Sequence, residues 1–340
     1  MTINYVTFTS ILLLVWLFLL IFNIKFLDFF PAKAYGHGLS KDESFPIDIS
    51  GRQVAIEGLL KPSFLNEGEQ QPVLTIRIFD KKTNETISDL NLRIIITFKN
   101  QTILDQPFHS LDGIVLANLI PVKDSITHEI TSKEPQQHLS KNNAVQVSLK
   151  NPVTIKSKLL SDGGLYDIAV ILQKSSKGIK IDSDQKINLF ISIGKTFPFV
   201  IKGSGGSKSN NNNNNTLTLQ VKTFYDEIQD FSFNEENSEV SFKMPFKWDL
   251  DYVNQILTLH EEIIVPKSYA PLSKVSSFTG TLNGMEIPPN TILIDDYSDK
   301  NNRIVHVVIT TFKLKEYAKQ IIQNGGNSYA IFELEPVKTV

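Results

Sequence analysis

Val73-Leu74-Thr75-Ile76-Arg77-Ile78-Phe79 is followed at once by Asp80-Lys81-Lys82-Thr83-Asn84. Leu74, Ile76 and Ile78 fall on one side of an extended chain and Thr75 and Arg77 on the other. That period of two, ended by turn-forming residues, marks a half-buried strand. Downstream, Leu90 to Phe98 repeats the pattern with Leu92, Ile94 and Ile96 on one face. Asp112-Gly113 opens Ile114 to Ile120, and Val145 to Leu149 follows. Asp162-Gly163-Gly164 turns into Leu165 to Leu172, Ser175 to Gly178 turns again, and Lys186 to Ile193 closes the set. Short strands at regular spacing with Gly, Asn and Asp between them predict an immunoglobulin-like sandwich over residues 51–200. Val122 to Asn143 is polar and is expected to be a mobile loop.

Gly203-Ser204-Gly205-Gly206-Ser207 and the run Asn210 to Asn215 have nothing to bury, so residues 201–216 read as a linker. No Gly-x-Ser-x-Gly pattern surrounds them, which removes a nucleophile elbow. Residues 217–340 then form a second β-rich domain. Phe231, Phe233, Val240, Phe242, Met244 and Phe246 flank the turn at Asn234-Glu235-Glu236-Asn237, and Leu257 to Val265 is a strand ended by Pro266. Ser277 to Leu282 runs into Asn283-Gly284, a hairpin signal. Ile292 to Ile294, Ile304 to Thr311 and Tyr329 to Leu334 supply further strands. Leu314, Tyr317, Ala318, Ile321 and Ile322 have helical spacing, and Asn324-Gly325-Gly326 ends that one surface helix. The fold class expected is therefore mainly β, with two β-rich domains behind a leading segment.

That leading segment carries no charge from Met1 to Ile24 and is unbroken in its apolar character from Ile11 to Phe22. About 20 such residues span a bilayer core as a helix whose backbone groups are all bonded internally. Two outcomes stay open for residues 1–34: a signal peptide cleaved after Ala32-Lys33-Ala34, or an uncleaved membrane anchor ending near Lys25. Both put the body outside the membrane, secreted or tethered, although the n-region lacks Lys and Arg. Residues 35–50 read as a spacer.

Composition narrows the function classes. Lys and Arg total 34 against 36 Asp and Glu, interspersed along the chain, so no basic footprint for nucleic acid exists. Cysteine is absent, which excludes disulfides, thiolate chemistry and the Cys ligand of blue-copper sites.

His37-Gly38, Gly164-Leu165-Tyr166, Met244-Pro245-Phe246-Lys247-Trp248, His260-Glu261-Glu262 and Asn283-Gly284 together are similar to segments of a family of secreted or membrane-anchored β-sandwich proteins of ammonia-oxidising archaea. The resemblance covers most of Tyr35 to Glu335. It implies a location and an architecture, and no activity.

Candidate chemistry is sparse. Cleavage after Ala34 would place the new amine, two amides and the His37 ring in one plane, a square of nitrogens for Cu(II) or Ni(II) at Tyr35, Gly36 and His37. The plainer reading is an exposed spacer histidine. His260-Glu261-Glu262 lacks the second histidine four residues on that a zinc-protease helix needs. In a strand, His260 and Glu262 share one face and Glu261 takes the other, which suits a solvated or cross-strand-paired face. Asp295, Asp296, Asp299 and Asn301 form an oxygen-rich loop that could hold Ca²⁺, without EF-hand spacing. His306, in an apolar strand, reads as a satisfied core histidine, and the six histidines are scattered. Asn84, Asn100 and Asn214 each begin an N-glycosylation sequon. The expected function is non-enzymatic: an envelope protein held by its N-terminal helix, acting in structure, adhesion or assembly with other envelope proteins. Copper handling through Tyr35-Gly36-His37 is the competing class, and no resident cofactor is called for.

Overall fold

The computed structural model describes residues 40–65, 71–122, 129–132, 144–174, 176–202 and 216–337. The leading apolar segment, Tyr35-Gly36-His37, the core of the Gly/Ser/Asn stretch and Asn214 lie outside the described residues. Strands make up 57% of the structure, so the chain is mainly β. Among the described residues, no helix is long and apolar enough to cross a membrane.

The first half contains β1 (Lys41–Glu43), β2 (Ile47–Ile49), β3 (Arg52–Lys61), β4 (Phe64–Leu65), β5 (Val73–Asp80), β6 (Leu90–Phe98), β7 (Gln101–Ser110) and β8 (Ile114–Pro121). It continues with β9 (Glu129–Ser132), β10 (Val145–Val147), β11 (Val153–Ser157), β12 (Gly164–Leu172) and the long β13 (Gln185–Lys202). The second half holds β14 (Thr216–Thr223), β15 (Gln229–Asn234), β16 (Glu239–Pro245), α1 (Leu250–Gln255), β17 (Thr258–Pro266) and α2 (Ala270–Ser273). It ends with β18 (Phe278–Leu282), β19 (Met285–Glu286), β20 (Ile292–Asp295), β21 (Asn302–Thr310), α3 (Thr311–Gln323) and β22 (Tyr329–Pro336).

Three sheets organise these strands. One runs β1-β3-β5-β8-β11-β9, with β2 also on β3. A ten-stranded sheet runs β10-β7-β6-β12-β13-β14-β17-β21-β20, with β4 also on β13. The third runs β15-β16-β22-β18-β19. The alternation read in β5 is real: Leu74, Ile76 and Ile78 are buried, and they meet Leu92, Ile94 and Ile96 of β6 in one apolar cluster. A second cluster forms from Leu219, Val221, Phe242, Val305, Phe332 and neighbours, with Leu314, Tyr317, Ala318 and Ile321 of α3 packed into it. The helical spacing thus matched the buried stripe at these four residues, whereas Ile322, read with them, is 49% exposed.

β13 belongs to both clusters. From Gln185 to Ile193 it pairs with β12, and Ile187, Leu189, Ile191 and Ile193 enter the first core. From Lys195 to Lys202 it pairs with β14, and Phe197, Phe199 and Ile201 pack on the second. The handover falls at Gly194. A Cβ there would stand 2.6 Å from the Phe224 ring, so only glycine lets β13 pass this close to the start of the second half.

Several expectations need correction. The passage from one core to the other occurs within β13 at Gly194, and Lys202 and Thr216, on either side of the Gly/Ser/Asn stretch, are direct antiparallel partners. Residues of the supposed spacer form β1 and β2 on β3. Within the supposed polar loop, Glu129–Ser132 pairs with β11. Beside the one surface helix stand α1, capped by Asp249 accepting from the Tyr252 amide at 2.8 Å, and the single turn α2. Elements of three to six residues are too short to show a period.

Candidate functional site

Two places in the described structure gather functional side chains. The first lies on β14, β17 and β21. Leu259, Glu261, Ile263 and Val265 of β17 share one face, and three of the four feed the second core. Glu261, fully buried among them, is approached at 3.2 Å by the Thr223 hydroxyl, while its Oε2 has no partner. Burial pushes its carboxyl well above the usual carboxylate range, against the opposing effect of Thr223.

The other face carries His260 and Glu262. Register places Lys222 opposite Glu262 on one side and His306 opposite it on the other. His260 Nε2 lies 3.1 Å from His306 Nδ1 and 3.6 Å from Glu262 Oε1, and His306 Nδ1 lies 3.8 Å from the same oxygen. The second oxygen of Glu262 accepts from Lys222 Nζ at 3.1 Å. His260 also stacks on Phe224, with ring centroids 5.3 Å apart. His306 Nε2 has no hydrogen-bond partner, and its nearest carboxylate oxygen is Asp295 Oδ2 at 4.0 Å. His260, Glu262 and His306 are only 5%, 7% and 8% exposed, so the face is cross-strand-paired as expected but not solvated. Burial pushes the His260 imidazolium down to about 4, partly offset by Glu262. Burial likewise pushes His306 below the usual histidine range, again against Glu262. Both rings are neutral at pH 7, and the hydrogen bond between them uses one proton. Among the described residues this is the one group of three metal-ligating side chains within mutual reach. Sequence reasoning set His260 and His306 aside separately. They stand 46 residues apart, and only the β17–β21 register reveals that they meet.

The oxygen-rich loop behaves differently. Asp295 Oδ1 accepts from the amides of Tyr297 and Ser298 at 2.8 and 2.9 Å. Burial pushes its carboxyl up, but the bonds from Ser298 and Tyr297 outweigh this and hold it below the usual range. Asp296 forms a fork with Arg303 at 2.7 and 2.9 Å, and that guanidinium holds its carboxyl low. Asp299 accepts from the Asn302 side chain and from the amides of Asn301 and Asn302, which lower it too. The carbonyls of Asp296 and Asp299 accept from Lys267 Nζ at 2.8 and 2.6 Å. The loop thus offers its oxygens to two cationic side chains, and its three carboxylates do not converge on a calcium position.

The second place is a cleft of about 530 Å³ where the two halves adjoin. Phe98, Asn100, Tyr225, Lys247, Asp249 and Tyr252 are among its walls. Lys99 Nζ reaches Asp226 across it at 2.7 Å. Asp167 on β12 also lines it; burial raises its carboxyl above the usual value, opposed by Lys186, and its Oδ1 has no partner. Of the sequon asparagines, Asn84 and Asn100 stand exposed on turns with φ of 60° and 63°. Lys99-Asn100 closes the β6–β7 hairpin with both residues at positive φ, which puts Asn100 in the cleft wall.

The chain matches no family model, no curated protein and no solved structure.

Proposed function

We propose that this chain is a non-enzymatic, extracytoplasmic envelope protein that serves adhesion or assembly by holding a partner in the cleft between its two halves. The cleft carries the reading. Binding sites favour the boundaries between packed bodies, with apolar walls and a few directed polar groups. Here aromatic faces from Phe98, Tyr225 and Tyr252 alternate with Lys247, Asp226 and Asn100. The uncharged segment from Met1 to Ile24 supplies export or anchoring.

The first half further supports an immunoglobulin-like architecture. Strands β3, β5 and β8 neighbour one another in one sheet, and β7, β6, β12 and β13 in the other, the split that a Greek-key sandwich requires. Tyr166, near the start of β12, donates its hydroxyl back toward the carbonyls of Asp162 at 2.6 Å and Leu159 at 2.8 Å. That is the tyrosine-corner arrangement of such domains. Architecture alone does not set activity, so the reading rests on the cleft.

The test has two arms. Protease added to intact cells should digest the body of the protein, and protection until lysis would refute the location. Purified full-length chain should sediment with cell envelopes stripped of the endogenous protein, and the Tyr252→Ala/Lys247→Glu double variant should lose roughly tenfold in apparent affinity, one such contact being worth about 1.4 kcal/mol. Unchanged sedimentation by a folded double variant would refute the cleft.

A further inference from the structure

We propose that His260 Nε2, His306 Nδ1 and Glu262 Oε1 form a zinc site on the paired strands β17 and β21, independent of the cleft. Geometry is the first reason. The three atoms stand 3.1, 3.6 and 3.8 Å apart. Zinc bound at about 2.0–2.1 Å with tetrahedral angles separates its ligand atoms by roughly 3.3–3.4 Å. Shifts of a few tenths of an ångström therefore convert the present hydrogen-bonded cluster into three corners of that tetrahedron. Two imidazoles and a carboxylate are a zinc donor set, and the chain has no cysteine thiolate to compete with it.

The surroundings are the second reason. Metal-binding histidines usually turn their other ring nitrogen toward a carboxylate, which fixes tautomer and ring orientation. His306 Nε2 is buried without a hydrogen-bond partner and faces Asp295 Oδ2 at 4.0 Å. With Nδ1 on the metal, that nitrogen carries the proton and points it at the aspartate. Phe224 holds the His260 ring by stacking, and Lys222 holds the far oxygen of Glu262, leaving Oε1 turned to the two rings. The register Glu262↔His306 and Lys222↔Glu262 fixes all of this on a paired ladder rather than a loop. Three protein ligands leave a fourth position for water or an incoming group.

The experiment uses full-length chain in detergent, freed of metal with a chelator and titrated with zinc chloride, then with cobalt(II) as a spectroscopic substitute. The wild type should bind one zinc per chain at this site, and cobalt should give the intense visible band of a tetrahedral N/O site. Glu262→Gln and His306→Gln should each abolish it, and Asp295→Asn should weaken it by about 10–100-fold. His37→Ala, which removes the only amino-terminal histidine, should leave it intact. Circular dichroism verifies that each variant is folded. No zinc on the wild type, or zinc that survives both Glu262→Gln and His306→Gln, overturns the site.

Discussion

Asp167 shows how one residue connects burial to function. Its Oδ1 is buried without a partner, and burial raises its carboxyl above the usual value. An aspartate whose folded pKa is raised binds a proton more readily in the folded state than in the unfolded one. Its contribution to stability is therefore full at low pH and declines as pH rises from the unfolded value of 3.8 through the higher folded value. Asp167→Asn should stabilise the protein at pH 7 by at most about 1 kcal/mol for a partly solvated group, read as a higher melting temperature, and the advantage should vanish near pH 3. Thermal scans of both proteins from pH 3 to 7 measure it. A melting temperature lowered at pH 7 would mean that the charge is used where it sits. At this scale the sequence was least legible. His260, Glu262 and His306 were each noticed, yet nothing in their spacing says that a 46-residue detour returns His306 beside His260. The loop at Asp295 to Asn301 misled in the opposite sense. Its oxygens are visible in the sequence, whereas the arrival of Lys267 from the turn after β17 and of Arg303 from β21 is not.

Among elements, β13 departs most from expectation. Its apolar alternation to Ile193 was readable, but Gly194 and the less regular Lys195-Thr196-Phe197-Pro198 hid its continuation. Strand continuity here depends on β14, a partner that single-strand periodicity cannot represent. The glycine is the most vulnerable point of the element. Gly194→Val would drive branched carbons into the Phe224 ring, 2.6 Å from even a bare Cβ, and should cost about 1–3 kcal/mol by overpacking. Because Phe224 also stacks on His260, the same variant should disturb the cobalt band of the proposed zinc site. Denaturant titration and the cobalt spectrum read the two effects separately; full stability in the variant would contradict the close approach described. By contrast α3 was legible to within a few residues, since four buried positions at helical spacing leave little choice.

At the scale of the whole molecule, two apolar clusters among the described residues share one ten-stranded sheet. Unfolding either cluster strips β13 of one of its partners, so the two should melt together. Calorimetry should show one transition, moved to lower temperature by Ile56→Ala in the first cluster and by Phe332→Ala in the second, each costing about 2–5 kcal/mol of stability. Two resolved peaks, each answering to only one variant, would contradict this coupling. The mainly-β class was visible from composition and turn spacing. The place of the seam was not, because a run of Gly, Ser and Asn announces a chain reversal as readily as a tether.

The shared strand has a practical corollary for anyone dissecting the molecule. Cutting the gene between the two parts, wherever the incision falls, bares a row of unclaimed amides and carbonyls along β13 or β14, each six or more residues long. Such a margin recruits any other extended peptide it meets. Isolated fragments should consequently self-associate, and stickiness observed with them would report the surgery rather than the native surface.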